Sequence, residues 1–278
     1  MTHNVAGIVI CAAFMHAAWN ALLRKPSDRL QFAVTMSIVA GVAAVPLAVV
    51  EPLPLYPSWI FLFCSELLQA VYAVLLVFAY KQADLGQVYP IARGTIPMFA
   101  TLGAALFVHE IPGFLSAGAI VLISLGAMTL AGSGARIRFP TLCLAIGTGV
   151  VVACFSVLDG IGARLSGNAI AYAMWGFIVG GIFMASISFI VGRSEWFSGN
   201  SRSGRFWSTA AGLAQFLSYG LVVWAYSRAP VGSVVALRQI SIVFAILFAK
   251  VFLGEQVTRR RFASVVLIVV GAVALSYR

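Results

Sequence analysis

Arg93 and Arg238 each sit inside a long apolar stretch, and each is followed 17 positions later by a glutamate, Glu110 and Glu255. A guanidinium stays charged at any working pH and can hold a carboxylate or phosphate on two parallel N–H donors. Insertion scales put the cost of such a group at a bilayer centre at about 2.5–3.5 kcal/mol, so it faces a cavity or a partner. Two arginines at corresponding places predict an anion-binding pair. The competing reading is snorkelling to the headgroups, or pairing with a fixed carboxylate. Tyr89 and Pro97, four residues either side of Arg93, share its helical face. Gln239 and Ser241 lie beside Arg238.

Other polar residues interrupt apolar stretches at helical spacing. Glu66, Gln69 and Tyr72 form one strip, in which Glu66 is either a proton-coupling carboxylate or a counter-ion to Arg93. His16, Trp19 and Asn20 share a face at i, i+3 and i+4, and Gln215, Ser218 and Tyr219 repeat that spacing. The candidate substrate-binding set is Arg93, Arg238, Tyr89, Asn20, Trp19, Gln215, Tyr219 and Gln239. The proton-coupling candidates are Glu66 and His16, the latter because an imidazole titrates near neutral pH or, alternatively, packs as a satisfied core group. Asp159 reads as an interfacial cap paired with Arg164, and Glu110, Glu255 and Lys250 as interfacial anchors or gates. Pro90 and Pro97 mark their stretch as a candidate broken helix. Gly176 and Gly180 form a GxxxG, a common helix-contact signal.

Several chemistries are disfavoured. There is no GxxxxGK[ST] phosphate loop, HExxH, GxSxG or CxxC. The three histidines are far apart, and Cys11, Cys64, Cys143 and Cys154 lie singly in apolar stretches as small apolar residues. No metal, cofactor or nucleic-acid partner is expected.

The elements that must position these groups are transmembrane helices. The chain is 62% hydrophobic and 9% charged, where soluble domains carry about 25% charged residues. About 20 apolar residues cross a bilayer core as a helix. The pattern predicts ten spans: Val5–Leu23, Phe32–Val50, Trp59–Tyr80, Gly86–Val108, Phe114–Ala131, Pro140–Ile161, Ala169–Val191, Phe206–Tyr226, Gly232–Leu253 and Phe262–Tyr277. The first lacks a basic leader and does not read as a cleaved signal. Basic residues concentrate in the loops after odd-numbered spans, from Arg24 and Lys25 to Arg259, Arg260 and Arg261. That bias places those loops in the cytoplasm and both termini outside.

The two halves match. GQVYPIARGTIPMFATLGAALFVHE (Gly86–Glu110) aligns with GSVVALRQISIVFAILFAKVFLGE (Gly232–Glu255), Gly126 with Gly271, Tyr72 with Tyr219, and the pair Gly7 and Arg24 with Gly147 and Arg164. Five spans per half is an odd number, so the second half enters from the opposite side. Inverted repeats of this kind belong to secondary transporters with a site between the repeats. The expected organisation is 1–132 as a first five-helix repeat, 133–139 as a connecting loop and 140–278 as a second. The fold class is all-α integral membrane, ten helices as two inverted repeats.

On these residues, above all the small-residue helices ending in "HE" and "GE", the chain resembles the drug/metabolite transporter superfamily in its EamA-like branch. HAAWNALLRK (His16–Lys25) and YPIARG (Tyr89–Gly94) also resemble a sub-branch associated with phosphonate utilisation. The resemblance implies a basket of helices around a central cavity, alternating access, and cytoplasmic termini, opposite to the charge count. The function expected is secondary transport of a small anionic or zwitterionic metabolite, with protons as coupling ion, in a bacterial inner membrane. The alternatives are a non-transporting membrane scaffold subunit and a membrane-embedded lipid-modifying enzyme. Intramembrane arginines speak against the first and scattered acids against the second.

Overall fold

The computed structural model describes residues 1–22, 29–82, 85–131, 139–190 and 202–277; side chains at 19–22, 29, 76–82, 85–88, 202–204 and 253 lie outside that description. The described chain is helical throughout, with no strand. In order come α1 (His3–Leu22), α2 (Arg29–Val50), a 3-10 turn (Tyr56–Ser58), α3 (Trp59–Gln82), α4 (Leu85–Phe107), α5 (Phe114–Met128), α6 (Phe139–Leu165), α7 (Ala169–Ile190), α8 (Arg202–Tyr226), α9 (Val231–Arg238), α10 (Ser241–Leu253) and α11 (Arg259–Ser276).

Six described stretches are long and apolar enough to cross a membrane: Leu30–Val50, Tyr56–Leu75, Phe139–Leu165, Ala169–Ile190, Arg205–Tyr226 and Val231–Phe252. His3–Ala18 and Phe114–Met128 are shorter apolar helices. The periphery is apolar, with Val49, Val50, Phe189, Ile190 and Phe252 exposed, while Arg93, Asp159 and Gln239 are buried. Apolar outside and polar inside, with each backbone polar group satisfied within a helix, is the arrangement hydrocarbon demands. The protein is a multi-pass membrane protein.

Helices without a hydrophobic drive between them associate through close backbone approach at small residues. Gly41 of α2 lies against the backbone of Phe177 and Ile178 in α7, and Gly181 of α7 against Ser37 and Ile38 in α2. Gly126 of α5 faces Ile268 of α11, and Gly271 of α11 faces Ala119 and Ile123 of α5. Both pairs run antiparallel, because position rises along one helix as it falls along the other. α4 is likewise antiparallel to α9: Thr101 meets Gly232 and Arg93 meets Gln239. α4 runs parallel to α6, with Ala92 and Thr95 against Gly149 and Gly103 against Val157. α3 packs on α6 as α1 packs on α8, and α4 packs on α6 as α1 packs on α9 and α10.

One element differs from the sequence reading. The broken helix is not the proline-bearing α4, which is continuous through Pro90 and Pro97. Each proline removes one backbone donor, which a membrane helix tolerates, and Thr101 Oγ1 donates to the Pro97 carbonyl at 2.7 Å. The break falls between α9 and α10, where no proline stands. There the N–H groups of Gln239, Ile240, Ile242 and Val243 bond three residues back, at 2.9–3.0 Å, tightening the turn to 3-10 geometry.

A methyl added at Gly271 would sit 2.8 Å from the Ala119 carbonyl oxygen, whereas one at Gly147 meets open space. Gly271→Ala should destabilise by about 1–3 kcal/mol, read as a lower Tm of the detergent-solubilised protein. Gly147→Ala should leave Tm unchanged or raised. Equal behaviour would mean α5 and α11 do not pack as described.

Candidate functional site

The buried polar groups gather in the bundle interior as two sets. The first surrounds Arg93, 8% exposed on α4. Its Nε and Nη2 donate to the Tyr89 hydroxyl at 3.0 and 2.8 Å, and its guanidinium lies 5.2 Å from the Tyr89 ring centroid. The one-turn spacing on α4 sets this contact. Nη1 donates to Gln239 Oε1 at 3.4 Å, across to the α9–α10 break. Nη2 contacts His16 Nε2 of α1. Arginine only donates, so His16 accepts on Nε2 and is neutral with its proton on Nδ1. Three helices thus converge on one guanidinium.

The second set is acidic. Asp159 of α6, 2% exposed, accepts from the Tyr172 hydroxyl of α7 at 3.2 Å and from the Tyr219 hydroxyl of α8. Glu66 of α3 accepts from Gln69 Nε2 at 3.1 Å, and its carboxylate lies in the groove left by Gly176 and Gly180 on α7. Arg238, at the end of α9, stands against the second set: its guanidinium is 5.5 Å from the ring centroid of Tyr219, whose hydroxyl donates to Asp159. Tyr72 packs edge-on against Phe155 of α6, with ring centroids 6.2 Å apart. Two arginines and two carboxyl groups share the interior, each held by neighbouring side chains, which is what makes burying any of them tolerable.

Of the residues singled out in sequence, Arg93, Tyr89, Gln239 and His16 meet in the first set, and Arg238, Tyr219 and Glu66 in or beside the second. Gln215 is half-buried on α8, and its Oε1 has no hydrogen-bond partner among the described residues. Trp19 and Asn20 fall outside the described side chains. Ser218 Oγ is engaged in packing, donating to the Ala12 carbonyl at 2.8 Å. Asp159 is not the interfacial cap expected of it. Two tyrosines hold it in the interior, and Arg164 instead meets Glu110 at 2.6 Å and donates to the carbonyls of Tyr226 and Ala229 at 3.0 and 2.9 Å. Glu110 also accepts from the Val231 N–H at 2.8 Å, capping α9. Glu255 pairs with Arg261 at 2.8 Å.

Sequence reasoning missed Tyr172 and the role of the GxxxG. Tyr172, Gly176 and Gly180 recur every four residues, one stripe of α7, and that stripe was the available signal. Its glycines admit a carboxylate rather than only a helix. Among the described residues, no group of three His, Cys, Asp or Glu side chains is placed to hold a metal.

The sequence profile of the family described as "EamA-like transporter family" matches residues 139–277, half of the chain. No curated protein matches. Twenty-eight chains of solved structures match. One, titled only "Crystal structure of protein", has a TM-score of 0.75 at 17% identity and covers 98% of this chain and 96% of its own; that likeness speaks to fold.

Tyr219→Phe removes a hydrogen bond to a buried carboxylate, worth about 1.5–3 kcal/mol. Its Tm should fall, while Tyr56→Phe, at a 90% exposed position, should not change it. A Tyr219→Phe protein as stable as the parent would detach Tyr219 from Asp159.

Proposed function

We propose that this chain, which belongs to the EamA-like transporter family, is a secondary transporter that carries a small anionic or zwitterionic metabolite through the bundle by alternating access. Membership of the family makes it a membrane transporter of the drug/metabolite type. The substrate class rests on one observation: Arg93 and Arg238, from opposite halves of the chain, stand in the interior facing a set that holds Glu66 and Asp159. A carboxylate or phosphonate would exchange places with the polar partners of the arginines. An ammonium group would lie on the acidic side, between tyrosine rings that favour cations.

The inverted repeat, with 1–132 and 140–278 as its halves, is part of this reading. Its supports are the antiparallel self-pairing of α2 with α7, α4 with α9 and α5 with α11, the exchange-related contacts of α3·α6 and α1·α8, and a family match that begins at residue 139. Rocking of one repeat against the other would then expose the two arginines to opposite sides in turn. Glu66 is the proton-coupling group, with His16 as the second candidate. Trp19, Asn20 and Gln215 complete the substrate set, and a bacterial inner membrane is the expected location. A scaffold subunit would gain nothing from interior charges, and an enzyme would need a clustered catalytic set.

Losing one partner of a buried hydrogen-bonded charge costs about 2 kcal/mol or more, roughly a thirtyfold or greater loss of affinity. Arg93→Gln and Arg238→Gln should therefore cut uptake into proteoliposomes by roughly thirtyfold or more, while folded protein is still obtained, at a lowered Tm. Failure to fold would assign the arginines to structure. Glu66→Gln should keep substrate counterflow and lose accumulation driven by a pH gradient. A normal pH-driven signal would remove Glu66 from coupling.

A further inference from the structure

α4 and α5 pack closely, with Gly94 against Met128 and Ser124. The aligned position in the second half is Gln239, where α9 breaks from α10, and α10 meets α11 far less extensively than α4 meets α5. A cleft of about 560 Å³ opens between α10 and α11. Its walls are Val243, Ile246, Leu247, Phe262 and neighbouring aliphatics, and Lys250 and Arg259 stand in its lining. Leu247 and Phe262 are 49% and 64% exposed, so the cleft faces sideways, toward acyl chains.

Among the described residues, the charges at its mouth have no carboxylate partner. Lys250 lies in the last turn of α10 and Arg259 opens α11, at the same end of the bundle. Glu255, between them in sequence, gives its carboxylate to Arg261 at 2.8 Å. Among the described residues, no carboxylate pairs with Lys250 or Arg259. From Lys250 to Val243 is seven residues of helix, about 10 Å of depth along the axis. An apolar slot of that depth, capped by two unpaired cations at the membrane boundary, matches an anionic phospholipid in both charge and shape.

We propose that the α10–α11 cleft is a binding site for an anionic phospholipid, the phosphate held by Lys250 and Arg259 and the upper acyl chain seated against Val243, Ile246 and Leu247. The site is separate from the interior cluster and does not depend on the substrate assigned to it. The lipid wedges open the one helix pair that the α9–α10 break leaves apart.

The test is thermal unfolding and native mass spectrometry of the delipidated full-length protein in neutral detergent. The probes are phosphatidylglycerol, phosphatidylcholine of identical acyl chains, and soluble glycerol 3-phosphate. Phosphatidylglycerol should bind at least fivefold more tightly than phosphatidylcholine and raise Tm, and glycerol 3-phosphate should do neither. The preference should vanish in Lys250→Gln/Arg259→Gln. It should also weaken at least fivefold in Leu247→Trp, which fills the slot and keeps both charges, while Arg228→Gln, a charge loss elsewhere, keeps it. Equal binding of both lipids, an effect of glycerol 3-phosphate alone, or retained preference in both cleft variants would overturn the assignment.

Discussion

A charge in hydrocarbon must be answered by other charges or by donors and acceptors held in place, and this requirement organises the interior. Arg93, Arg238, Glu66 and Asp159 come from α4, α9, α3 and α6, and none of these helices could hold its charge alone. The guanidinium of Arg93 is met by α1, by its own helix and by the α9–α10 break. Asp159 is met by α7 and α8. The close approaches at Gly149 and Gly232 to α4, and at Gly176 and Gly180 to Glu66 of α3, bring these helices near enough for short polar side chains to reach one another. The packing serves the electrostatics, and the electrostatics fixes the register of the packing.

The halves of the proposed repeat differ in chemistry. On the alignment of the halves, Glu66 corresponds to Leu213, and Asp159 to Trp19. Both acids therefore gather where α3 packs on α6 and α7, while His16 and Tyr89 gather around Arg93. Corresponding helices also differ in continuity: α4 is whole with two prolines, while its counterpart breaks with none. The interior thus sets two arginines beside two carboxyl groups. The 3-10 turn at the break places Gln239 against Arg93.

Much of this was legible in sequence. Apolar length pointed to membrane helices, and among the described residues six stretches are long and apolar enough to cross a bilayer; Arg93, Tyr89 and Gln239, singled out by spacing and by the matched motifs, do meet. Hydrocarbon penalises unpaired polar groups so strongly that an isolated arginine in a span announces a partner. The partner's identity was not legible. Asp159 lies near a plausible cap partner, Arg164, in sequence, and only the tertiary fold shows Arg164 turned to Glu110 and Asp159 turned inward. The helix break was misplaced for a related reason. Proline is a local signal, whereas the 3-10 turn at Gln239 forms where two helices meet Arg93. The carboxylate-sized groove of Gly176 and Gly180 depends on which residue of α3 arrives there.

The central claim is that the interior cluster is a substrate site and not an internal brace. Its most direct test is ligand-induced thermal stabilisation of the purified protein against amino acids, carboxylates, organophosphonates, phosphate esters and organic cations. The account predicts stabilisation by a compound bearing a carboxylate or phosphonate, alone or with an ammonium group, and its loss in Arg93→Gln. Stabilisation by cations or neutral compounds only, unchanged in that variant, would contradict it.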